Sequence, residues 1–171
     1  MSRINYRIII GYFLVFVLAQ LPLLYKYVLF ESVIGFFYIG FLLFLPFGLR
    51  PFLKLSIGFF IGLLIDMFTN TPGMHAAAST LLMFVRDFWL VTSTGEPDDS
   101  SEISVYTLGL KGLVAYVLPL VFIHHLVLFS IEHGSMHAFF PIIGESILSA
   151  FFTFFTLVVV NFLMASKPRR T

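Results

Sequence analysis

Apolar residues run along this chain in six stretches, at 8–25, 32–49, 54–69, 73–91, 110–131 and 143–164, separated by polar or turn-forming interruptions. A helix needs about 20 mostly apolar residues to cross the bilayer core. Each stretch therefore reads as one transmembrane α-helix. The third is short as an apolar run, Leu55–Phe68, and reaches spanning length if Lys54 snorkels at one end and Asp66 sits near the opposite interface. Leu49-Arg50-Pro51 ends the second stretch, and Thr69-Asn70-Thr71-Pro72-Gly73 turns the chain between the third and fourth. Ser93 to Glu102, with Glu96, Asp98 and Asp99, reads as a solvated loop. Glu132 to Glu145 mixes histidines with Phe139, Phe140 and Pro141, and reads as a loop along the interface. Arg3 and Arg7 before the first apolar run resemble the start of a signal peptide, but no small-x-small cleavage pattern follows, so a retained span is expected.

Composition agrees with this pattern. Hydrophobic residues make up 59% of the chain, charged residues 11%, and the mean hydropathy is +1.00. Soluble domains carry about 25% charged residues. The 171 residues would form a single integral membrane domain, 1–171. Cysteine is absent, which excludes disulfides, thiolate nucleophiles and cysteine-rich metal sites.

The net charge of +1 says little, but the placement of the basic residues gives an orientation. Lys and Arg are retained on the cytoplasmic side. With the N-terminus inside, Arg3, Arg7, Arg50, Lys54, Arg86, Lys111, Lys167, Arg169 and Arg170 fall inside or at the inner interface, and Lys26 alone falls outside. The expectation is an all-α membrane protein of six transmembrane helices with both ends in the cytoplasm.

Few residues inside the spans could carry chemistry. Gly58, Gly62 and Asp66 lie four residues apart and share one face of the third helix. Small residues let another helix approach closely, either from this chain or from a partner. Ala76, Ala77 and Ala78 make the start of the fourth helix thin and suited to that face. Asp66 is expected to fix the hairpin by accepting hydrogen bonds from Thr69, Thr71 or the start of the next helix, with His75 a further partner and Pro72-Gly73 forming the turn. Its functional alternative is a proton or cation site, disfavoured because no second intramembrane carboxylate accompanies it. Arg86 could pair with Asp87, but snorkelling to the inner headgroups is the simpler expectation. His124, His125, His133 and His137 invite a metal hypothesis. Their spacing favours interfacial hydrogen bonding, since adjacent histidines point to different helix faces. No metal and no cofactor is expected.

Enzyme signatures are missing: there is no H-E-x-x-H, no G-x-S-x-G and no phosphate loop. Intramembrane aspartyl proteolysis needs two opposed aspartates. A serine mechanism would need a pair such as Ser79 with His124, although serines in membrane helices usually bond back to their own backbone. A non-enzymatic protein, with no catalytic residues, is expected.

From Gly58 to Ser79 the sequence reads GFFIGLLIDMFTNTPGMHAAAS. This resembles the signature of the rod shape-determining MreD family: a Gly-rich helix ending in Leu/Ile-Asp, a short turn with Pro and Gly, then His-Ala. The matching residues are Gly58, Gly62, Asp66, Pro72, Gly73, His75 and Ala76. In most of the family one more residue separates Pro from Gly; their adjacency here is similar to the version found in the Bacteroidota. The resemblance implies a bacterial inner-membrane protein, multi-pass and non-enzymatic, of the cell-wall elongation machinery. It implies association with an MreC-like protein and, through it, with MreB, a RodA-like glycosyltransferase and a penicillin-binding transpeptidase, and no nucleic acid. It also implies a fold similar to the six-helix substrate-binding subunits of energy-coupling-factor transporters. A vitamin or small-molecule transporter subunit is therefore the alternative function, although such a pocket needs convergent polar groups.

Overall fold

The computed structural model describes residues 6–18, 20, 28–29, 33–95, 103–134 and 139–164. The last part of the first apolar stretch, Lys26, the acidic residues of the 96–102 loop, His137 and the basic tail lie outside the described residues. Among the described residues the regular structure is helical, apart from one two-residue antiparallel ladder. Helix α1 (Tyr6–Tyr12) continues in wider π-helical turns over Phe13–Leu18. Strands β1 (Val28–Leu29) and β2 (Val33–Ile34) pair with Val28 opposite Ile34. A short helix α2 (Ile39–Leu43) follows, then α3 (Pro51–Thr69), α4 (Met74–Thr94), α5 (Val105–His133) and α6 (Phe139–Met164).

Among the described residues, three helices are long and apolar enough to cross a membrane: α3, α5 from Tyr106, and α6, with mean hydropathies of 1.8, 2.1 and 2.2. Their outward faces carry Phe52, Phe60 and Met67 on α3 and Phe155, Phe162 and Leu163 on α6, all exposed. So much exposed apolar surface is a liability in water and compatible with a membrane protein. Helix α4 has comparable length, 21 residues, but is less apolar. It packs against both α3 and α5, and its polar residues His75, Ser79 and Arg86 are buried. A helix enclosed by protein needs no uniformly apolar surface.

The structure departs from expectation at 32–49. That stretch is not one helix: among its described residues only the five of α2 are helical, followed beyond Pro46 by a turn at Phe47 and a left-handed Gly48 (φ 82°). Its apolarity has another cause. Phe36, Tyr38, Ile39, Leu42, Leu43, Phe44 and Leu45 are all buried inside the bundle. Being apolar on all sides is the mark of a segment enclosed by protein as much as of one facing lipid.

A broken segment leaves backbone groups without helical partners, and other elements supply them. Gln20 Nε2 donates to Gly35 O at 2.9 Å, and its Oε1 accepts from Tyr38 N–H at 3.0 Å. Thr153 Oγ1 of α6 accepts from Phe36 N–H at 3.2 Å. Tyr116 Oη of α5 donates to Leu43 O at 2.8 Å, and Arg86 of α4 donates to Leu45 O. Arg86 therefore does not snorkel. It is fully buried, and it also reaches Tyr116 Oη at 3.1 Å and Asp87 Oδ1 at 3.0 Å. Lys54 likewise turns inward and pairs with the other oxygen of Asp87. The carbonyls at the end of α2 offer the guanidinium more than the headgroups do, because no water competes there.

At the start of α5, Ser104 and Thr107 form a reciprocal capping box, and Gly109 kinks the chain in a left-handed conformation (φ 67°). The helix thus begins at Val105, five residues before the expected 110, with Ser104 as its N-cap, and ends at His133. Asn161 of α6 donates to Tyr12 Oη at 3.3 Å and Ile103 O at 3.4 Å, tying this end of the loop into the bundle.

Arg86→Met removes the donor to Leu45 O, and a buried carbonyl left without a partner costs about 1–3 kcal/mol. Tyr116→Phe should cost less, because Arg86 Nη2 remains 3.4 Å from Leu43 O. Thermal unfolding in detergent micelles measures both. Unchanged stability for Arg86→Met would return Arg86 to a snorkelling role.

Candidate functional site

The α3–α4 hairpin carries most of the motif residues. Helix α3 ends with Asn70 in the left-handed region (φ 55°), its N–H bonded to Asp66 O. Thr71 N–H also reaches Asp66 O, at 3.1 Å. Gly73 takes φ 80° at the N-cap of α4, a conformation that costs glycine least. Glycine has no side chain with which to cap, and the carboxylate of Asp66 fills that role from the neighbouring helix. Its Oδ1 accepts from Thr71 Oγ1 at 2.6 Å and His75 N–H at 2.9 Å; its Oδ2 accepts from Ala76 N–H at 2.9 Å. A negative charge at a helix N-terminus meets unsatisfied amides and the positive end of the helix dipole. Thr69 instead bonds Ile65 O at 2.9 Å and lies 2.8 Å from Thr71 Oγ1. Pro72 is exposed at the tip.

The glycine face meets α4 of the same chain. A Cβ on Gly62 would lie 2.4 Å from His75 O and 2.5 Å from Ala76 Cα; one on Gly58 would lie 2.8 Å from Met83 Cγ and 2.9 Å from Ser79 O. As a partner interface this row is therefore already occupied. Ala76 and Ala78 are buried, and Ala77 alone of the three alanines is exposed. It lines an outward apolar groove between α3 and α4 with Leu55, Phe59, Leu63, Thr80 and Phe84.

The ring of His75 points away from Asp66 into the core. Its Nδ1 is 3.1 Å from Tyr38 Oη, which is also 2.8 Å from His124 Nε2 and accepts from Ser79 Oγ at 3.3 Å. Three helices or segments thus converge on one phenol oxygen. His125, the next residue on α5, faces α6 instead. Its Nδ1 is 2.8 Å from Val121 O and its Nε2 3.3 Å from Thr153 Oγ1. Phe36 packs against all three imidazoles, with ring centroids 4.9, 6.3 and 5.3 Å from those of His75, His124 and His125.

His124 and His125 do point to different faces, but both are fully buried and neither is interfacial. The reason is that α5 packs between α4 and α6, so two adjacent faces are interior. Of the described histidines, His133 is the one at the rim, 3.0 Å from Glu145 Oε2. Among the described residues, no group of three or more His, Asp or Glu side chains is placed to hold a metal ion. Ser79 and His124 do not form a nucleophile–base pair, because both address Tyr38. Tyr38, Gln20, Thr153 and Tyr116 have central places that sequence reasoning did not assign. The available signal was that a polar side chain inside an apolar span requires a partner.

No family model, curated protein or solved structure matches this chain.

Asp66→Ala should lower the unfolding midpoint by the equivalent of about 0.5–2 kcal/mol, the usual worth of a cap, with Asp66→Asn intermediate. Gly62→Ala drives a methyl into backbone that cannot rotate away, and overpacking costs about 1–3 kcal/mol. Ala77→Leu, on the exposed side, should change stability by less than about 0.5 kcal/mol. Equal effects of the last two in the same unfolding assay would contradict the packing described.

Proposed function

We propose that this protein is a non-enzymatic scaffold of the bacterial inner membrane, acting in the cell-wall elongation machinery in the manner of the MreD family. The observation that carries this reading is the α3–α4 hairpin. Gly58, Gly62, Asp66, Gly73, His75 and Ala76 all serve one packed, capped unit. A motif consumed by internal packing sets the shape of a surface, and shape is what a scaffold offers its neighbours. The partners under this reading are an MreC-like protein and, through it, MreB, a RodA-like glycosyltransferase and a penicillin-binding transpeptidase.

The proposed topology is six crossings with both ends inside, the second made by the broken segment around α2. Support comes from the clustering of charges at one end. Lys54 pairs with Asp87, Arg86 meets Tyr116, and Gly112, beside Lys111, lies against Thr94. That end is the cytoplasmic one by the distribution of basic residues.

A second reading, a small-molecule subunit of a transporter, is favoured by the convergence of Tyr38, Ser79, His75 and His124 on one point. Saturable stabilisation by any water-soluble vitamin in a thermal-shift screen would support it against the scaffold.

Depleting the protein in its host should abolish rod shape and disperse wall synthesis; unaltered cells would end the scaffold reading. Orientation is checked separately, and the lack of native cysteine makes this clean. Ser100→Cys should react with a membrane-impermeant maleimide only after the cells are opened, and Lys26→Cys in intact spheroplasts. The reverse pattern would invert the topology.

A further inference from the structure

The Tyr38 hydroxyl holds one proton and has three neighbours: Ser79 Oγ at 3.3 Å, His75 Nδ1 at 3.1 Å and His124 Nε2 at 2.8 Å. Ser79 donates to it. The phenol can donate to one imidazole only, so the other must donate to the phenol. The two histidines therefore play opposite parts toward Tyr38, and two arrangements are conceivable. In one, Tyr38 donates to His124 Nε2; neutral His124 then carries its proton on Nδ1, and His75 donates from Nδ1. In the other, His124 donates from Nε2 and Tyr38 donates to His75 Nδ1.

Two independent facts separate them. His124 Nδ1 is buried and has no partner among the described residues. The first arrangement strands an N–H there, and orphaned buried N–H groups are the rarer defect in folded proteins. The first arrangement also puts both histidines in the Nδ1–H form, whereas Nε2–H is the intrinsically favoured tautomer of a neutral imidazole side chain. The second arrangement has both in the favoured form.

We infer that the cluster is a one-way hydrogen-bond chain running His124 Nε2–H to Tyr38 to His75 Nδ1, with Nδ1 the unprotonated nitrogen of both histidines. His125 has the opposite tautomer. Its Nδ1 faces the Val121 carbonyl, which can only accept, so the proton is on Nδ1 and Thr153 donates to Nε2. Thr153 Oγ1 in turn accepts from Phe36 N–H. Adjacent histidines on one helix thus hold opposite proton patterns, each imposed by a different neighbour.

Nitrogen-15 NMR of the histidine-labelled full chain in lipid bilayers reads the tautomers directly. The expected spectrum has His124 and His75 with unprotonated Nδ1 and protonated Nε2, and His125 reversed. A protonated Nδ1 at His124, or averaged signals from two tautomers at His75 and His124, would overturn the chain. Tyr38→Phe supplies a second check: His75 should lose its single tautomer while the His125 signals stay unchanged. A His75 signal indifferent to Tyr38→Phe would also overturn it.

Discussion

Backbone amides and carbonyls buried away from water must find partners within the protein, and this fold is organised by that requirement. Helices meet it internally. The segment from Gly35 to Leu45 does not, because its one helix is five residues long. Non-helical backbone enclosed by protein must have its polar groups satisfied by other parts of the fold. Side chains from the first helical stretch, α4, α5 and α6 each reach in to satisfy part of it. The polar residues that look out of place in apolar helices, Gln20, Arg86, Tyr116 and Thr153, are there for this reason.

The same logic operates with opposite sign at the hairpin. Asp66, an anion, meets the amides that begin α4; Arg86, a cation, meets the carbonyls that end α2. Each charge is buried against backbone dipoles of the complementary end. Between these two polar regions lies the Tyr38 cluster, which joins α4 and α5 to the segment at Gly35–Tyr38. Helix α4 contributes to all three, so its lower apolarity is what its central position requires.

The hairpin was legible in the sequence because its determinants are local. Gly58, Gly62 and Asp66 share a face by helical spacing, and Pro72-Gly73 is turn chemistry that needs no tertiary context. The broken segment was not legible. A run such as Ile34 to Leu45 is equally apolar whether lipid or protein surrounds it, and only contacts distant in sequence distinguish the two. Arg86 departs from the sequence expectation for a related reason. Snorkelling is the default for a basic residue near a helix end, and the inward alternative depends on carbonyls exposed by α2, more than 40 residues away. His124 and His125 illustrate a third limit: their divergence was readable, but not that both directions lead inward.

The Asp66 cap gives the turn the properties of a gauge. The carboxylate is fixed on α3 and the amides of His75 and Ala76 on α4, so the length of loop between them sets how far one helix is shifted along the other. That shift is what puts the hydrogen-only face of Gly62 opposite Ala76. A turn of another length would offer the acid different amides. The adjacency of Pro72 and Gly73 keeps that turn short, and with it the register of the two helices.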